Sequence, residues 1–447
     1  MSDKNDLTEG TIWKKLVLYF LPIAAGTLFQ QFYNAVDAFV VGKFVGTEAL
    51  AAVGGTPAVL SNLLIGFFTS LSAGAAVVIA QHYGAKNLRR VSQEVYTSMT
   101  FCGLVGIVVG GLVILLAPQI LTLLKNTEES MADAITYTRI YFSGTMFMLL
   151  FNMASGILRA IGDSRRPFIF LCISCVLNIG LDLYFVIVLG WGVSGVAWAT
   201  VIAQGVSMIC SILCLCFSKE EAIRIKKIKI RWDILGTMMR IGVPAGLQSA
   251  MYGFSNLILQ IGVNTLGTVV VASWSMNGKI DGIYWATAGA FGTAVTNFVG
   301  QNFGAGRMDR IRQSAKTSMK LFAVITVSLS ALILLITRPV LGILSDDPGV
   351  IETTWKLTTY FVPFYLLWAV IEVISGVLRG VGDAVKPMII IAVCVCLLRV
   401  VWMLSAFQVW HTLPVLSACY PISWGVADVA LLWYYFRGSM FSKRKEA

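Results

Sequence analysis

The stretch SGILRAIGDSRRP, from Ser155 to Pro167, returns later in the chain as SGVLRGVGDAVKP, from Ser375 to Pro387. The second copy begins 220 residues after the first, and another pair of stretches keeps the same offset. In that pair QHYGAKNLRRVSQ begins at Gln81 and QNFGAGRMDRIRQ begins at Gln301. Two unrelated stretches with one offset predict that the chain is a duplication of a unit about half its length.

The composition places most of the chain in lipid. Its 447 residues are 57% hydrophobic and only 13% charged, whereas a soluble domain carries about 25% charge. Apolar runs long enough for helices to cross a ~30 Å hydrocarbon core recur throughout, and the alternating pattern of barrel strands is missing. We therefore predict an all-α integral membrane protein with twelve transmembrane helices. The predicted spans are 16–41, 51–80, 95–117, 135–158, 168–189, 194–217, 240–264, 270–298, 316–337, 357–378, 388–409 and 414–436.

The positive charge orients the chain in its membrane. The 34 Lys and Arg residues outnumber the 23 Asp and Glu residues, which gives a net charge of +11, and most of them fall in segments on the side of the N-terminus. The positive-inside rule makes that side cytoplasmic. We therefore expect a multi-pass protein of the cytoplasmic membrane with both termini in the cytoplasm, and no nucleic-acid partner.

The even number of spans in each half fixes how the halves are related. Six spans return the chain to its starting side, so the two repeats enter the membrane in the same orientation and form a parallel repeat. We predict an N-terminal six-helix lobe at residues 1–217, a charged cytoplasmic linker at 218–236 and a C-terminal six-helix lobe at 237–447. We expect the protein to be a monomer in the lipid bilayer.

These residues resemble the multidrug and toxic compound extrusion (MATE) family of cation-coupled efflux transporters. The resemblance rests on QQFYNAVDAFVVGKFVGTEALAAVG from Gln30, on GQNFGAG from Gly300 and on the paired LRxxGD loops. It implies two six-helix lobes that form a V around a central cavity. It also implies export of small organic compounds, often cationic, in exchange for protons or sodium.

Four oxygen-bearing side chains share one depth in the N-terminal half. Asp37 and Asp182 lie near the outer ends of spans one and five, where an ionisable group costs about 2.5–3.5 kcal/mol on insertion scales and so indicates function. Asn178 precedes Asp182 by four residues and shares its helix face, and Thr200 lies about 9 Å inside span six. Such oxygens can hold a hard cation such as sodium, or the close carboxylates can share a proton.

The resemblance assigns this set a role. The DinF-like branch of the family has an Asp in the first helix, Asn-x-x-x-Asp in the fifth and a Thr in the sixth. The positions that match it, which are the expected ion-coupling residues and the Na+ ligands if coupling is to sodium, are Asp37, Asn178, Asp182 and Thr200. The NorM-like branch carries a functional Glu in the seventh helix, where this chain offers only Gln248 and its neighbour. The chain is therefore closer to the DinF-like pattern.

Other polar side chains are candidate substrate contacts. Gln30 and Tyr33 lie on the acidic face of span one, and Tyr137 and Asn152 lie in span four. A Tyr ring can face an organic cation, although interhelical hydrogen bonding accounts for the same residues equally well. At the position equivalent to Asn152 the second half has Glu372, a further candidate for binding substrate.

The second half does not repeat the acidic set. At the offset of 220, Asn178 and Asp182 correspond to Leu398 and Trp402. Its spans carry other charged residues instead, which we predict to form a self-neutralising network that lowers the cost of insertion. These residues are Lys279, Asp281, Arg399 and Asp428.

Together these features favour a secondary active antiporter that exports organic cations by alternating access. A lipid-linked precursor flippase with the same lobe plan is the alternative, and an integral-membrane enzyme or a channel is a different class. The sequence has no HExxH motif, catalytic His pair or phosphate loop, which enzymes of that kind need. We expect no enzyme and no cofactor other than the coupling ion, H+ or Na+.

Overall fold

A computed structural model describes residues 6–46, 49, 53–124, 126, 128–225 and 227–437, and the regular structure within these ranges is helical. The prediction of an all-helical chain is confirmed. The long helices are α1 (Ile12–Phe44), α2 (Thr56–Gly84), α3 (Leu88–Leu123), α4 (Met131–Ser143), α5 (Thr145–Ala160), α6 (Arg165–Val188), α7 (Gly192–Cys216), α8 (Trp232–Thr265), α9 (Thr268–Gly304), α10 (Met308–Leu344), α11 (Pro348–Gly380), α12 (Val385–Val409) and α13 (Leu413–Arg437).

Within the described residues, nine helices are long and apolar enough to cross a membrane, or ten if α4 and α5 form one span. These two helices meet at Gly144 with a bend of 44°, so the predicted span 135–158 is broken near its middle. The predicted spans 240–264 and 270–298 lie in α8 and α9, which are not among the nine. Much of α9 packs against other helices instead of facing lipid, so its residues can be more polar. The count of twelve spans therefore remains a prediction.

The apolar cores cross the predicted lobe boundary. The core of the C-terminal half includes the start of the N-terminal half, from Leu7 to Ala24. Phe20 of α1, for example, packs edge-on against Phe291 of α9 with ring centroids 5.3 Å apart. The segment after α7 is also anchored, because Ala222 and Ile223 are buried in the core of the N-terminal half.

Reciprocal hydrogen bonds join the two halves at the end of the molecule that carries residues 218–225 and 227–231, which we call the linker end. The Gln81 side chain donates through Nε2 to the carbonyl oxygen of Gly380 at 2.8 Å. The Gln301 side chain donates in the same way to the carbonyl oxygen of Ala160 at 2.7 Å. Donors and acceptors are both related by the 220-residue offset, so each half reaches across to the turn of the other.

Two glycines allow α2 and α9 to cross at the same place. A Cβ atom on Gly84 would lie 1.9 Å from the carbonyl oxygen of Gln301, and one on Gly304 would lie 1.7 Å from that of Gln81. No side chain fits at such distances from backbone atoms. The repeated Gln-x-x-Gly spacing is therefore explained, since the Gln forms the bond between the halves and the Gly permits the approach.

The start of the chain strengthens this junction. The backbone N–H of Leu7 donates to Oε1 of Gln301 at 3.1 Å. The Tyr19 hydroxyl donates to the Arg159 carbonyl at 2.6 Å and accepts from Nδ2 of Asn297 at 3.1 Å. The linker end is thus held closed by contacts from both halves and from the N-terminal segment.

We expect Gln301→Ala to destabilise the protein more than Gln81→Ala. Gln301 is fully buried, and its loss leaves the Leu7 N–H and the Ala160 carbonyl unpaired, at a cost of about 1–3 kcal/mol for each buried group. Gln81 is half-buried, and Gln81→Ala removes only the hydrogen bond to the Gly380 carbonyl. Thermal unfolding of the detergent-solubilised variants measures the difference, with the exposed Gln313→Ala as the matched control. Equal losses for the two junction variants would contradict this account.

Candidate functional site

The structure brings the two acidic residues of the N-terminal half together. Asp37 on α1 lies beside Asp182 on α6, close enough for each carboxyl group to influence the other. Asp182 is fully buried, and Asn178, one turn earlier on α6, is 1% exposed. Thr200 is buried on the adjacent helix α7, where its hydroxyl donates to the Val196 carbonyl at 3.0 Å. The common depth expected from the sequence therefore becomes proximity for the two carboxyl groups.

This acidic site holds an unusual number of unsatisfied polar atoms. Oδ1 of Asp37, both carboxyl oxygens of Asp182 and both polar side-chain atoms of Asn178 are buried and have no hydrogen-bond partner among the described residues. Buried polar atoms in proteins are nearly always paired. Two ionised carboxylates cannot bond to each other, but one shared proton would join them. A hard cation also fits, because such ions prefer carboxylate and amide oxygens.

Three tyrosines surround the acids. Tyr33 and Tyr137, both predicted from the sequence, lie near Asp37, and Tyr137 is also near Asp182. Tyr141 was not predicted; its ring stacks on that of Tyr137 with centroids 5.6 Å apart. The four-residue spacing of the two tyrosines would have shown that they share one face of α4.

Helix α6 changes its geometry directly after Asp182. The residues Tyr184–Val188 form a π-helical segment, a rare local distortion that is frequent at functional sites. A second π-helical segment, Ala392–Leu397, interrupts α12 before Arg399. Both irregular segments thus stand beside charged residues of the interior.

Two cavities border α1, and neither is lined by Asp37 or Asp182. One, of about 120 Å³, lies inside the N-terminal half, and the other, of about 420 Å³, lies between the halves. Gln30 and Asn152 line both cavities, whereas Tyr33 lines the first and Glu372 the second. Tyr137 lines neither and faces the acids instead. Four of the five predicted substrate contacts thus border a cavity.

Glu372 forms an ion pair where it lines the cavity between the halves. Nη2 of Arg379 lies 3.4 Å from its carboxylate, so the two charges offset each other. Arg159, the equivalent of Arg379 in the first half, also lines this cavity. The LRxxGD motifs therefore form turns and also place their arginines at this cavity. The sequence alone did not predict this location of the arginines.

The four charged residues predicted as a network in the C-terminal half form no ion pair with one another in the described structure. Lys279 is exposed, while Asp281 is buried and accepts from the Tyr365 hydroxyl and from Nδ2 of Asn277. Residues two apart on a helix point to different faces, which separates Lys279 from Asp281.

The other two members are also apart from these. The Arg399 guanidinium lies 4.0 Å from the ring centroid of Tyr420 and donates to Ser423 at 3.2 Å. Asp428 is buried and its Oδ1 has no hydrogen-bond partner in the described part of the chain. Each of the four charges thus has surroundings of its own, without a self-neutralising network.

Comparisons with known proteins agree with this architecture. The MatE family model matches residues 22–184 and 244–403. The chain is 27% identical over 441 residues to the probable multidrug resistance protein YoeA of Bacillus subtilis, covering 96% of this chain and 94% of that protein. It is 23% identical over 380 residues to the multidrug export protein MepA of Staphylococcus aureus, covering 84% and 83%.

The fold is also that of a solved transporter structure. An outward-facing conformation of a multidrug resistance MATE family transporter of the MOP superfamily superposes with a TM-score of 0.89 at 22% identity, covering 99% of both chains. The family match spans most of the chain and falls in both halves. The chain therefore belongs to the MatE family, and it is a multi-pass membrane transporter and not an enzyme.

Proposed function

We propose that this transporter is a secondary active antiporter that exports small organic compounds, often cationic, in exchange for protons or sodium. The observation that carries the proposal is the proximity of Asp37 to Asp182, because three of their four carboxyl oxygens are buried and have no hydrogen-bond partner in the described structure. Acids inside a membrane protein mark ion or proton pathways. The names of the relatives, multidrug resistance and multidrug export proteins, support organic compounds as the cargo.

The coupling site comprises Asp37, Asn178, Asp182 and Thr200, as in the DinF-like pattern. Binding of a proton or a sodium ion offsets the repulsion between the two carboxylates, which pulls α1 towards α6. Gln30 of α1 borders both cavities, so a shift of this helix changes the substrate surface. In this way the ion step and the release of substrate are linked.

Alternating access of two lobes supplies the movement. The reciprocal bonds of Gln81 and Gln301 close the linker end, and the 420 Å³ cavity lies between the halves. Two six-helix lobes from an internal duplication are supported by the 220-residue offset and by a family match in each half. The linker end is cytoplasmic in this proposal and the protein is a monomer. The terminal residues, 1–5 and 438–447, lie outside the described residues.

Proteoliposomes test the function directly. We expect ethidium or tetraphenylphosphonium to move against its own gradient when a proton gradient or a sodium gradient is imposed, because coupled exchange converts one gradient into the other. The two gradients are applied separately to identify the ion. Failure of both to drive either cation would contradict antiport of organic cations, and gradient-independent flux would indicate a channel.

A further inference from the structure

A cavity of about 190 Å³ inside the C-terminal half has walls of aromatic rings. It lies between α9, α11 and α13, apart from the acidic site of the N-terminal half. We call it the aromatic pocket, and its rings are those of Trp274, Trp285, Phe361, Tyr365, Tyr420 and Trp424.

The rings form a continuous wall. Centroid distances are 6.0 Å from Trp274 to Tyr420, 5.7 Å from Tyr420 to Trp424, 6.0 Å from Trp424 to Trp285 and 6.2 Å from Trp285 to Tyr365. Neighbouring rings are inclined by 54° to 78° instead of stacking. Inclined packing of this kind is favoured between aromatic rings, whose faces carry the negative end of the quadrupole.

An acidic side chain also lines the pocket. Asp281 is 8% exposed, and both of its carboxyl oxygens accept hydrogen bonds from neutral donors, Tyr365 and Asn277. No Lys or Arg of the described residues lies within ion-pair distance of it. Arg399 packs on the ring of Tyr420 and donates to Ser423 instead. Buried charges in proteins are normally paired with an opposite charge. A bound cation would give the Asp281 carboxylate such a partner.

The partners of Asp281 are themselves held in place. The Thr358 hydroxyl donates to Oδ1 of Asn277 at 2.9 Å, which directs the amide N–H groups of Asn277 towards the carboxylate. Tyr284 stacks on Tyr365 with centroids 4.1 Å apart and donates to its backbone carbonyl at 2.9 Å. The carboxylate is therefore fixed before any ligand arrives, which lowers the cost of binding.

We propose that the aromatic pocket binds the ammonium head group of an amphipathic organic cation. Aromatic cages recognise quaternary ammonium groups through cation–π attraction, and the Asp281 carboxylate supplies the opposite charge. The volume is below the roughly 300–1,000 Å³ of a site for a whole drug-sized ligand, so the pocket holds a head group. Gly278, which also lines the pocket, is exposed and has open space where a Cβ would be, and this leaves room for the rest of the molecule.

The assignment rests on the proposed export of organic compounds and adds a site in the half that lacks the Asp37–Asp182 pair. Binding to the purified full-length protein in detergent tests it without transport. The probes are choline and its neutral isostere 3,3-dimethylbutan-1-ol, followed by calorimetry and by quenching of tryptophan fluorescence. We expect saturable binding of choline and at least tenfold weaker binding of the isostere. Equal binding of the two, or no saturable binding of choline, would overturn the proposal.

Variants locate the site. We expect Asp281→Asn and Trp285→Leu each to weaken choline binding about tenfold or more, whereas Trp285→Phe keeps a ring and most of the affinity. Trp410→Leu, at an exposed position outside the pocket, is the control for the loss of one tryptophan. Choline binding that is unchanged in Asp281→Asn contradicts the assignment. If Asp281→Asn fails to fold, the comparison of Trp285→Leu with Trp285→Phe and that of choline with its neutral isostere still test the proposal.

The choline-binding test and the transport test of the proposed function can fail independently of each other. Choline binding that depends on Asp281, together with no gradient-driven transport of any cation, would sustain the pocket and refute the antiport. Gradient-driven transport without choline binding would refute the pocket alone.

Discussion

Replacing Asp182 with Asn is expected to abolish ion-driven export while leaving the protein folded. The substitution keeps the shape of a side chain that is fully buried and has no hydrogen-bond partner in the described structure. It removes the negative charge and the ability to take up a proton. The new amide group donates to Asp37 at all times, so the contact no longer depends on an ion. We expect the initial rate of gradient-driven export to fall more than tenfold, and likewise for Asp37→Asn.

Two measurements check this expectation. Transport rates in proteoliposomes are compared with those of Asp133→Asn, a matched change at an exposed position near the start of α4. Thermal unfolding with and without sodium then reports binding, since a ligand at 100 times its Kd stabilises a protein by about 2.7 kcal/mol. If sodium is the coupling ion, it stabilises the wild type and not Asp182→Asn. Normal coupled rates in both aspartate variants would refute the site.

Gly304→Ala is expected to push the halves apart at the linker end. The added Cβ would lie 1.7 Å from the carbonyl oxygen of Gln81, and no rotamer change can relieve an overlap with backbone. Helix propensity acts the other way, because Ala favours a helix over Gly by about 1 kcal/mol. Any loss of stability therefore comes from the crossing itself. We expect a lower Tm and a transport rate reduced at least tenfold, and the same for Gly84→Ala.

The displacement can be measured between spin labels. Arg89 and Asp309 are both exposed near the linker end and are related by the 220-residue offset, so labels there report the separation of the halves. Gly111→Ala is the control, because a Cβ at this helical position meets nothing within 4 Å. An unchanged label distance and a wild-type Tm in Gly304→Ala would show that the junction tolerates the methyl group.

The sequence was a good guide to elements with a local signal. Apolar runs identified the helices, although hydropathy marks only the part in lipid, so α1 runs from Ile12 to Phe44 where the predicted span was 16–41. The break at Gly144 gave no such signal, because it depends on packing: a Cβ there would lie 3.0 Å from the Val201 side chain of α7.

The site was predictable to the extent that its residues share a helix or a depth. Asn178 and Asp182 lie four residues apart, and their helical stacking follows from spacing alone. Helical spacing also predicts that Lys279 and Asp281, which are two residues apart, point to different faces. Of the two partners that Asp281 does have, Asn277 lies four residues earlier on α9, whereas Tyr365 of α11 comes from a helix far along the chain. The hydrogen bond from Gln81 to the Gly380 carbonyl could not be predicted either, because a turn motif does not specify which side chain of the other half bonds to it.

The junction at the linker end has a consequence for the electrical behaviour of the transporter. The hydrogen bonds of Gln81, Gln301, Tyr19 and Asn297 join neutral groups only. Breaking them moves no charge through the membrane field, which acts with about 2.3 kcal/mol per elementary charge per 100 mV. These four residues therefore contribute little voltage dependence to the opening of this end. In the proposed antiport, we expect voltage dependence where an ion enters or leaves the pair Asp37 and Asp182, or with a charged cargo.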